Sequence, residues 1–96
     1  MPFKHVALLG LGLIASSIAL ALRSKTLDIK ITGYSRSRKT RNQAKIIDFC
    51  DVSNTVDSCV RGADLIVLCV PVGAMQATMK AAAPYLEKGS IVTDVG

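Results

Sequence analysis

The sequence predicts an α/β fold, a doubly wound parallel sheet with helices on both faces, and three observations support this prediction. Strand-like and helix-like patterns alternate along the 96 residues without a repeat or a long linker, as consecutive βαβ units do. Hydrophobic residues make up 50% of the chain and aromatic residues 4%, so the core must be aliphatic, which suits a buried parallel sheet. Residues 65–70 form an unbroken apolar run, which is typical of a central strand. The length predicts a single domain over residues 1–96.

Two strands and two helices are expected in the first half of the chain. The first strand covers Lys4 to Leu9, and the first helix covers Leu13 to Ser24. A second strand covers Ile29 to Tyr34, and a basic helix begins after the N-cap Ser37 and ends near Phe49. The inward faces are predicted to be Ile14, Ile18, Ala21 and Leu22 on the first helix and Thr40, Ala44 and Ile47 on the second.

The second half continues the alternation. A short third strand is expected near Val52, and Thr55 caps a short helix that closes at Gly62. The remaining elements are a strand over 65–70, a helix over 73–83 and a strand over 90–95. Right-handed crossovers and a switch point between the first and fourth strands predict the strand order 3-2-1-4-5.

A pattern of small residues, Gly10-Leu11-Gly12-Leu13-Ile14-Ala15, stands between the first strand and the first helix. In this context Gly10 permits a tight turn, Gly12 lets the backbone approach a pyrophosphate, and Ala15 keeps the helix near the strand. The helix that begins with Leu13 and Ile14 points its free N–H groups and positive dipole end at the phosphates. The pattern therefore predicts a Rossmann-type dinucleotide site that includes Gly10, Gly12, Leu13, Ile14 and Ala15.

The same apolar stretch has a competing interpretation as a signal peptide or a membrane helix. No charge occurs from Val6 to Leu22, and Ala19-Leu20-Ala21 resembles a cleavage site. Cleavage at that point would remove the central strand of the predicted sheet. We therefore favour the strand and expect no membrane association.

The net charge of +5 is unevenly distributed, because the basic residues within 23–45 face only one acid, Asp28. The segment has neither interleaved aromatic residues nor a recognised nucleic-acid module. It indicates a phosphate-bearing cofactor or a solvated helix face, and we expect no nucleic-acid partner.

The three cysteines, Cys50, Cys59 and Cys69, are odd in number and lack C-x-x-C spacing. Each lies in or beside an apolar segment. They are expected to be reduced core thiols of a cytoplasmic protein, and no metal site is predicted.

The residues that follow the second strand, Ser35-Arg36-Ser37-Arg38, bear on the identity of the cofactor. An NAD enzyme usually keeps an acid here to bind the ribose hydroxyls, and this sequence has none. Ser35 removes the repulsion of a 2′-phosphate, Arg36 can supply a charge-assisted hydrogen bond, and Ser37 adds a donor. NADP is therefore the preferred cofactor and NAD the second choice. The alternative is that Arg36 and Arg38 only solvate the start of a helix.

Val70-Pro71-Val72 leaves the fourth strand at the switch point. We expect these residues beside the nicotinamide half of the cofactor, and the alternative is that the proline merely ends the strand.

No catalytic residue is assigned. The only histidine, His5, begins the first strand, at the end of the sheet opposite to the ligand site, and is expected at the surface or the strand edge. Asp64 and Asp94 flank strands and are expected to act as cap or turn partners.

Three segments carry a family resemblance when they are taken together. They are Gly10-Leu11-Gly12-Leu13-Ile14-Ala15-Ser16-Ser17, Cys69-Val70-Pro71-Val72 and Ile91-Val92-Thr93-Asp94-Val95-Gly96. The chain resembles the N-terminal cofactor domain of the prephenate/arogenate (cyclohexadienyl) dehydrogenase family over essentially its whole length. One departure is Ala15, where the family usually has glycine.

The resemblance implies an enzyme that oxidises prephenate or arogenate by hydride transfer to a nicotinamide, with loss of carbon dioxide, on the route to tyrosine. It also implies a second, all-helical domain that forms a homodimer, and catalytic serine and histidine residues beyond Gly96. The chain is therefore expected to be a truncated part of a two-domain enzyme and to be inactive alone. Two alternatives remain: the cofactor half of another NADP-dependent dehydrogenase or imine reductase, and a non-catalytic nucleotide-sensing domain. The choice between prephenate and arogenate stays open.

Overall fold

The computed structural model describes residues 3–25 and 28–95, and it confirms the predicted architecture. Within these residues, five parallel strands form one sheet in the order β3-β2-β1-β4-β5. The strands are β1 (His5–Leu9), β2 (Lys30–Tyr34), β3 (Asp51–Val52), β4 (Leu65–Leu68) and β5 (Ile91–Asp94). The helices are α1 (Leu13–Lys25), α2 (Arg38–Ile47), α3 (Val56–Val60) and α4 (Val72–Ala82), the last followed by a 3-10 turn over Ala83–Tyr85. Gly96, the last residue of the family-like C-terminal segment, lies outside the described residues.

Strand β1 is the centre of the sheet, and every one of its residues is buried. It pairs with β2 on one side, where Val6 lies beside Ile31, and with β4 on the other, where Val6 lies beside Leu65. Leu8 points into the core under α1 and α2, while Leu9 points into the core under α3 and α4. Burying each of these leucines stabilises the fold by roughly 1.5–3 kcal/mol. Helices therefore cover both faces of the sheet, as a parallel sheet requires.

The inward face of α1 differs from the prediction. The predicted face was Ile14, Ile18, Ala21 and Leu22. The residues that lie fully buried against the sheet are Ala15 and Ala19, with Ile18 and Leu22 packed at the margin of the same cluster. Ile14 is 55% exposed and Ala21 is also exposed, so the prediction is wrong for these two residues. The helix lies close to the sheet, and only small side chains occupy the middle of that contact.

Helix α2 begins as predicted and ends earlier. The Ser37 hydroxyl accepts a hydrogen bond from the Thr40 N–H (3.2 Å), so Ser37 is the N-cap. The helix ends at Ile47 because Asp48 adopts a left-handed backbone (φ 61°), and its N–H donates to the Ala44 carbonyl at 2.8 Å. Only Ala44 of the predicted inward stripe is buried. Ile47 is 68% exposed and lines an open hollow between α1 and α2.

Strand β4 is shorter than its apolar run. Its ladder ends at Leu68, and Cys69 and Val70 then leave toward Pro71, which stands immediately before the first residue of α4. The Cys69 N–H still donates to the Leu9 carbonyl at 2.8 Å, so the chain leaves the sheet beside the end of β1.

His5 was expected at the surface or the strand edge, and the surface alternative is wrong. His5 is 8% exposed, and its Nε2 lies 2.9 Å from the Thr32 hydroxyl. That hydroxyl donates its single hydrogen to the Cys59 carbonyl at 2.7 Å, so the hydrogen between the two side chains must belong to His5 Nε2. Burial and the Lys30 charge lower the pKa of His5. The residue does lie at the amino end of β1, away from Gly10, as expected.

Asp64 and the three cysteines have structural roles. The Asp64 carboxylate accepts hydrogen bonds from the N–H groups of Lys4 (3.0 Å) and His5 (3.1 Å), which is the turn partnership expected of it. The cysteines are free thiols, as predicted. Burial raises the pKa to about 11 for Cys50 and Cys69 and to about 12 for Cys59, so these thiols stay protonated near neutral pH.

Helices of the described residues are all too short or too polar to cross a membrane.

Candidate cofactor site

A cleft of about 490 Å³ opens at the carboxyl ends of the central strands. Its lining comes from the ends of β1, β2 and β4 and from one face of α4: Leu9, Gly10, Tyr34, Ser35, Arg36, Ser37, Val70, Pro71, Ala74 and Thr78. Ligands of doubly wound sheets bind at this edge, beside the point where the strand order reverses. The structure thus brings together the first glycine, the loop after β2 and the segment after β4, which the sequence had placed far apart.

Gly10 makes the tight turn that was expected of it. Its backbone has φ 107°, and its N–H donates to the Tyr34 carbonyl at 2.7 Å. A Cβ at this position would lie 2.5 Å from the Cys69 carbonyl oxygen. Only glycine therefore lets the chain leave β1 so close to the end of β4.

Gly12 has a different environment. A Cβ at Gly12 would have no described atom within 4 Å, so the packing of the chain does not itself demand glycine there. Open space beside the start of α1 fits the close approach of a diphosphate to the backbone. The turn therefore offers a cradle that a side chain would fill.

Gly12 and the three residues that follow it are absent from the described lining of the cleft. Leu13 is 87% exposed, and with Gly12 it lines a second hollow of about 310 Å³ between α1 and α2. Ile14 faces outward, and Ala15 is fully buried on the sheet. Their side chains thus do not meet the cleft, and any contribution to binding would come from the backbone at the start of α1.

The loop between β2 and α2 forms the charged side of the cleft. The Ser37 N–H donates to the Ser35 hydroxyl at 3.2 Å, while the Ser37 hydroxyl caps α2. Arg36 is exposed and lines the cleft. No acidic side chain is among the described residues that line it, so an anionic ligand would meet one cation and several hydroxyl donors without charge repulsion.

Two further predicted site residues, Arg38 and Val72, are absent from the described cleft lining. Arg38 lines an outer hollow on α2, together with Arg41, Asn42, Lys45 and Asn54. Val72 begins α4 with its side chain exposed, whereas Val70 and Pro71 line the cleft. Pro71 therefore forms part of the cleft wall, whereas the strand itself has already ended at Leu68.

Sequence reasoning missed several residues. Ala74 and Thr78 are one turn apart on α4 and both line the cleft, and their i, i+4 spacing shortly after Pro71 could have indicated this shared face. Arg41 lies behind the loop: its Nη1 donates to the Ser35 carbonyl at 2.6 Å and to the Arg36 carbonyl at 3.3 Å. Its guanidinium also lies 5.7 Å from the centre of the Tyr34 ring.

The cleft supplies binding chemistry rather than acid–base chemistry. Its polar groups are hydroxyls, backbone N–H groups and one guanidinium, and none of these is matched to abstract a proton near neutral pH. Among residues 3–25 and 28–95, no group of three or more His, Cys, Asp or Glu side chains is placed to hold a metal ion.

The sheet order, the glycine turn and the cleft define a nucleotide-binding domain of the Rossmann class. Residues 18–96 match the family described as "Prephenate dehydrogenase, nucleotide-binding domain". The chain belongs to this family.

Individual relatives agree with this assignment. The chain is 42% identical over 95 residues to a cyclohexadienyl dehydrogenase of Zymomonas mobilis, covering 98% of this chain and 32% of that protein. Arogenate dehydrogenase of Synechocystis superposes with a TM-score of 0.85 at 29% identity, covering 96% of this chain and 32% of that one. Prephenate dehydrogenase of A. aeolicus, solved with hydroxyphenyl propionate and NAD+, shares the fold with a TM-score of 0.86 at 21% identity, covering 98% and 34%. The chain thus spans about a third of the length of each of these proteins.

Proposed function

We propose that this chain is the cofactor-binding part of an NADP-preferring prephenate or arogenate dehydrogenase, which carries out an oxidative decarboxylation in tyrosine biosynthesis. The observation that carries the cofactor proposal is the loop Ser35–Ser37, which presents Arg36 and two hydroxyls to a cleft without an acidic lining residue. Membership of the family supports the reaction, because its similar proteins bear the names cyclohexadienyl, prephenate and arogenate dehydrogenase.

The cleft and the residues at its margin each have a role in this proposal. The backbone from Gly10 to Ala15 and the start of α1 bind the diphosphate, with Gly12 leaving room for it. Ser35, Arg36 and Ser37 bind the 2′-phosphate, and Arg38 adds positive charge at the same helix start. Val70, Pro71 and Val72 lie toward the nicotinamide half, which, when bound, accepts a hydride from the substrate.

The choice between the two nicotinamide cofactors depends on charge. The A. aeolicus relative was solved with NAD+, and we therefore keep NAD as the second choice of cofactor for this chain. An acid after β2 would hydrogen-bond the ribose hydroxyls of NAD and repel a 2′-phosphate. Ser35 stands there instead, with Arg36 next to it, and a hydrogen bond to a charged partner contributes on the order of 1.5–3 kcal/mol. We therefore expect NADP to bind about ten- to a hundredfold more tightly than NAD.

Catalysis itself is assigned to groups outside these residues. The described lining of the cleft contains no His, Asp, Glu, Lys or Cys side chain to transfer a proton, so we propose that the 96-residue chain binds cofactor and turns over neither prephenate nor arogenate. In the longer protein, a helical second domain would complete the substrate site and form a homodimer, as the family resemblance implies. We place that enzyme in the cytoplasm.

Calorimetric titration of the chain with NADP and with NAD tests the proposal. NADP should bind at least about tenfold more tightly, and the difference should narrow with salt as the 2′-phosphate contact is screened. The double variant Ser35→Asp/Arg36→Leu should prefer NAD. Lys80→Leu, which removes an exposed charge on α4 outside the cleft, should keep the wild-type preference. Equal binding of both cofactors by the wild-type chain, or a preference for NAD, would contradict the NADP assignment.

A further inference from the structure

Arg41 makes an unusual set of contacts for a residue on an exposed helix. It stands in the first turns of α2, and its side chain reaches back beneath the loop that precedes the helix. One nitrogen, Nη1, donates to two consecutive main-chain carbonyls, those of Ser35 (2.6 Å) and Arg36 (3.3 Å). The Tyr34 ring, 5.7 Å from the guanidinium carbon, completes the contact.

Arg41 makes these contacts from outside the cleft. Arg36 lines the cleft, whereas Arg41 is absent from the described lining and faces the outer hollow on α2. Arg41 therefore holds the main chain from behind, while the side chains of Ser35 and Arg36 remain free to meet a ligand in front. The Ser37–Ser35 hydrogen bond fixes the same loop within itself, but only Arg41 ties both carbonyls to the helix.

We propose that Arg41 is a positioning residue for cofactor selection: it fixes the Ser35–Arg36 main chain in the shape that presents Arg36 to the 2′-phosphate before the cofactor arrives. The proposal rests on the proposed function, because it concerns the same site. A loop ordered in advance loses less conformational freedom when the ligand binds. The benefit falls on NADP in particular, because NAD has no phosphate for Arg36 to meet.

Arg41→Gln is the first test, with NADP and NAD affinities measured by calorimetry. Ordering one long side chain and its loop corresponds to about a three- to tenfold loss of NADP affinity. NAD affinity should change by less than about twofold, so that the NADP-to-NAD ratio falls. Lys45→Gln is the matched control, since it removes one charge from the next turn of the same helix, and it should leave the ratio unchanged. Equal losses for both cofactors would overturn the proposal, because they would indicate a general structural role.

A double-variant cycle with Arg36→Gln distinguishes positioning from direct contact. If Arg41 acts through Arg36, adding Arg41→Gln to the Arg36→Gln chain should lower NADP affinity no further. Independent, multiplying losses would show that Arg41 itself meets the phosphate, and would refute its positioning role.

Arg41→Lys tests whether charge alone is sufficient. Lysine keeps the charge but lacks the longer-reaching guanidinium, whose Nη1 meets both carbonyls and whose plane lies over the Tyr34 ring, so the NADP-to-NAD ratio should remain near that of Arg41→Gln. Recovery of the wild-type ratio would overturn the proposal. If Arg41→Gln fails to fold in a thermal melt, the lysine variant carries the test by the same criterion. A wild-type chain that binds neither cofactor would instead reject the proposed function, which keeps the two failures distinct.

Discussion

Replacing Gly10 or Gly12 of the turn by alanine should affect different properties: folding stability at Gly10 and cofactor affinity at Gly12. At Gly10 the left-handed backbone costs an alanine roughly 1–2 kcal/mol. The added Cβ would also lie 2.5 Å from the Cys69 carbonyl oxygen, and such overlap with rigid main chain costs about 1–3 kcal/mol. Together these terms predict that Gly10→Ala loses about 2–5 kcal/mol of unfolding free energy, a drop of roughly 10–30 °C in melting temperature for a domain of this size.

Gly12→Ala should leave stability almost unchanged, within about 1 kcal/mol, because its Cβ meets open space and the unfolded chain loses freedom. It should instead lower cofactor affinity by at least about tenfold, since the methyl group occupies the approach to the diphosphate. Thermal melts by circular dichroism and calorimetric titration of both variants measure the two effects. Similar melting temperatures for Gly10→Ala and Gly12→Ala would refute this reasoning, as would undiminished cofactor binding by Gly12→Ala.

Two further predictions concern the core. Because burial lowers the pKa of His5, the unfolded chain takes up a proton before the folded chain does as the pH falls. The stability that neutral His5 provides is complete above pH about 6.5 and should be lost below it. In urea unfolding, the free energy of unfolding should fall by at most about 1.4 kcal/mol per pH unit in that range. If His5→Gln showed the same dependence of unfolding free energy on pH, this explanation would be contradicted. Gly33→Ala should lose about 1–3 kcal/mol, because its Cβ would lie 2.5 Å from Leu11 Cδ2 and 2.7 Å from Cys50 Sγ. Gly73→Ala, whose Cβ meets nothing within 4 Å, should match or exceed wild-type stability in the same melts, and equal melting temperatures for the two would count against the packing argument.

The strand order was predictable because the central strands of a parallel sheet are buried on both faces and are therefore apolar throughout. Residues 6–9 and 65–68 are apolar on both faces, and the structure pairs these two strands beside each other. Helical crossovers of one hand then leave a single order for the outer strands. The location of the cleft followed from that order, since the switch point lies between β1 and β4.

The orientation of α1 was not predictable in the same way. From Leu13 to Leu22 the helix has no charged residue, so the sequence does not mark an outer face. Packing distance decided the matter, because the fully buried positions hold Ala15 and Ala19 and the larger Leu13 and Ile14 stay exposed. Choosing the inward face by the size of its hydrophobic residues therefore gave the wrong face.

Long-range polar contacts were equally hidden. His5 is buried because its partner Thr32 lies on β2 and the Cys59 carbonyl lies on α3, and no local pattern around His5 indicates either. The contacts of Arg41 end on main-chain carbonyls, which every residue possesses. When a side chain bonds only to main-chain atoms, no particular residue type is needed as its partner, so the sequence gives no sign of the contact. For this reason the Ser35–Ser37 loop could be predicted as part of the site, and the role of Arg41 could not.

The family resemblance leads one to expect glycine at position 15, where this chain has Ala15, and the structure shows which role the alanine side chain has. Ala15 is fully buried in the cluster that joins α1 to the sheet, and its side chain lies outside the cleft. Its role is thus in helix–sheet packing, where a methyl group adds apolar contact as long as the sheet leaves room for it. Gly10 and Gly12, by contrast, stand where a Cβ would meet the Cys69 carbonyl or fill the open approach. The three small residues of the pattern therefore meet three different constraints, and the constraint on Ala15 is the packing of α1 against the sheet.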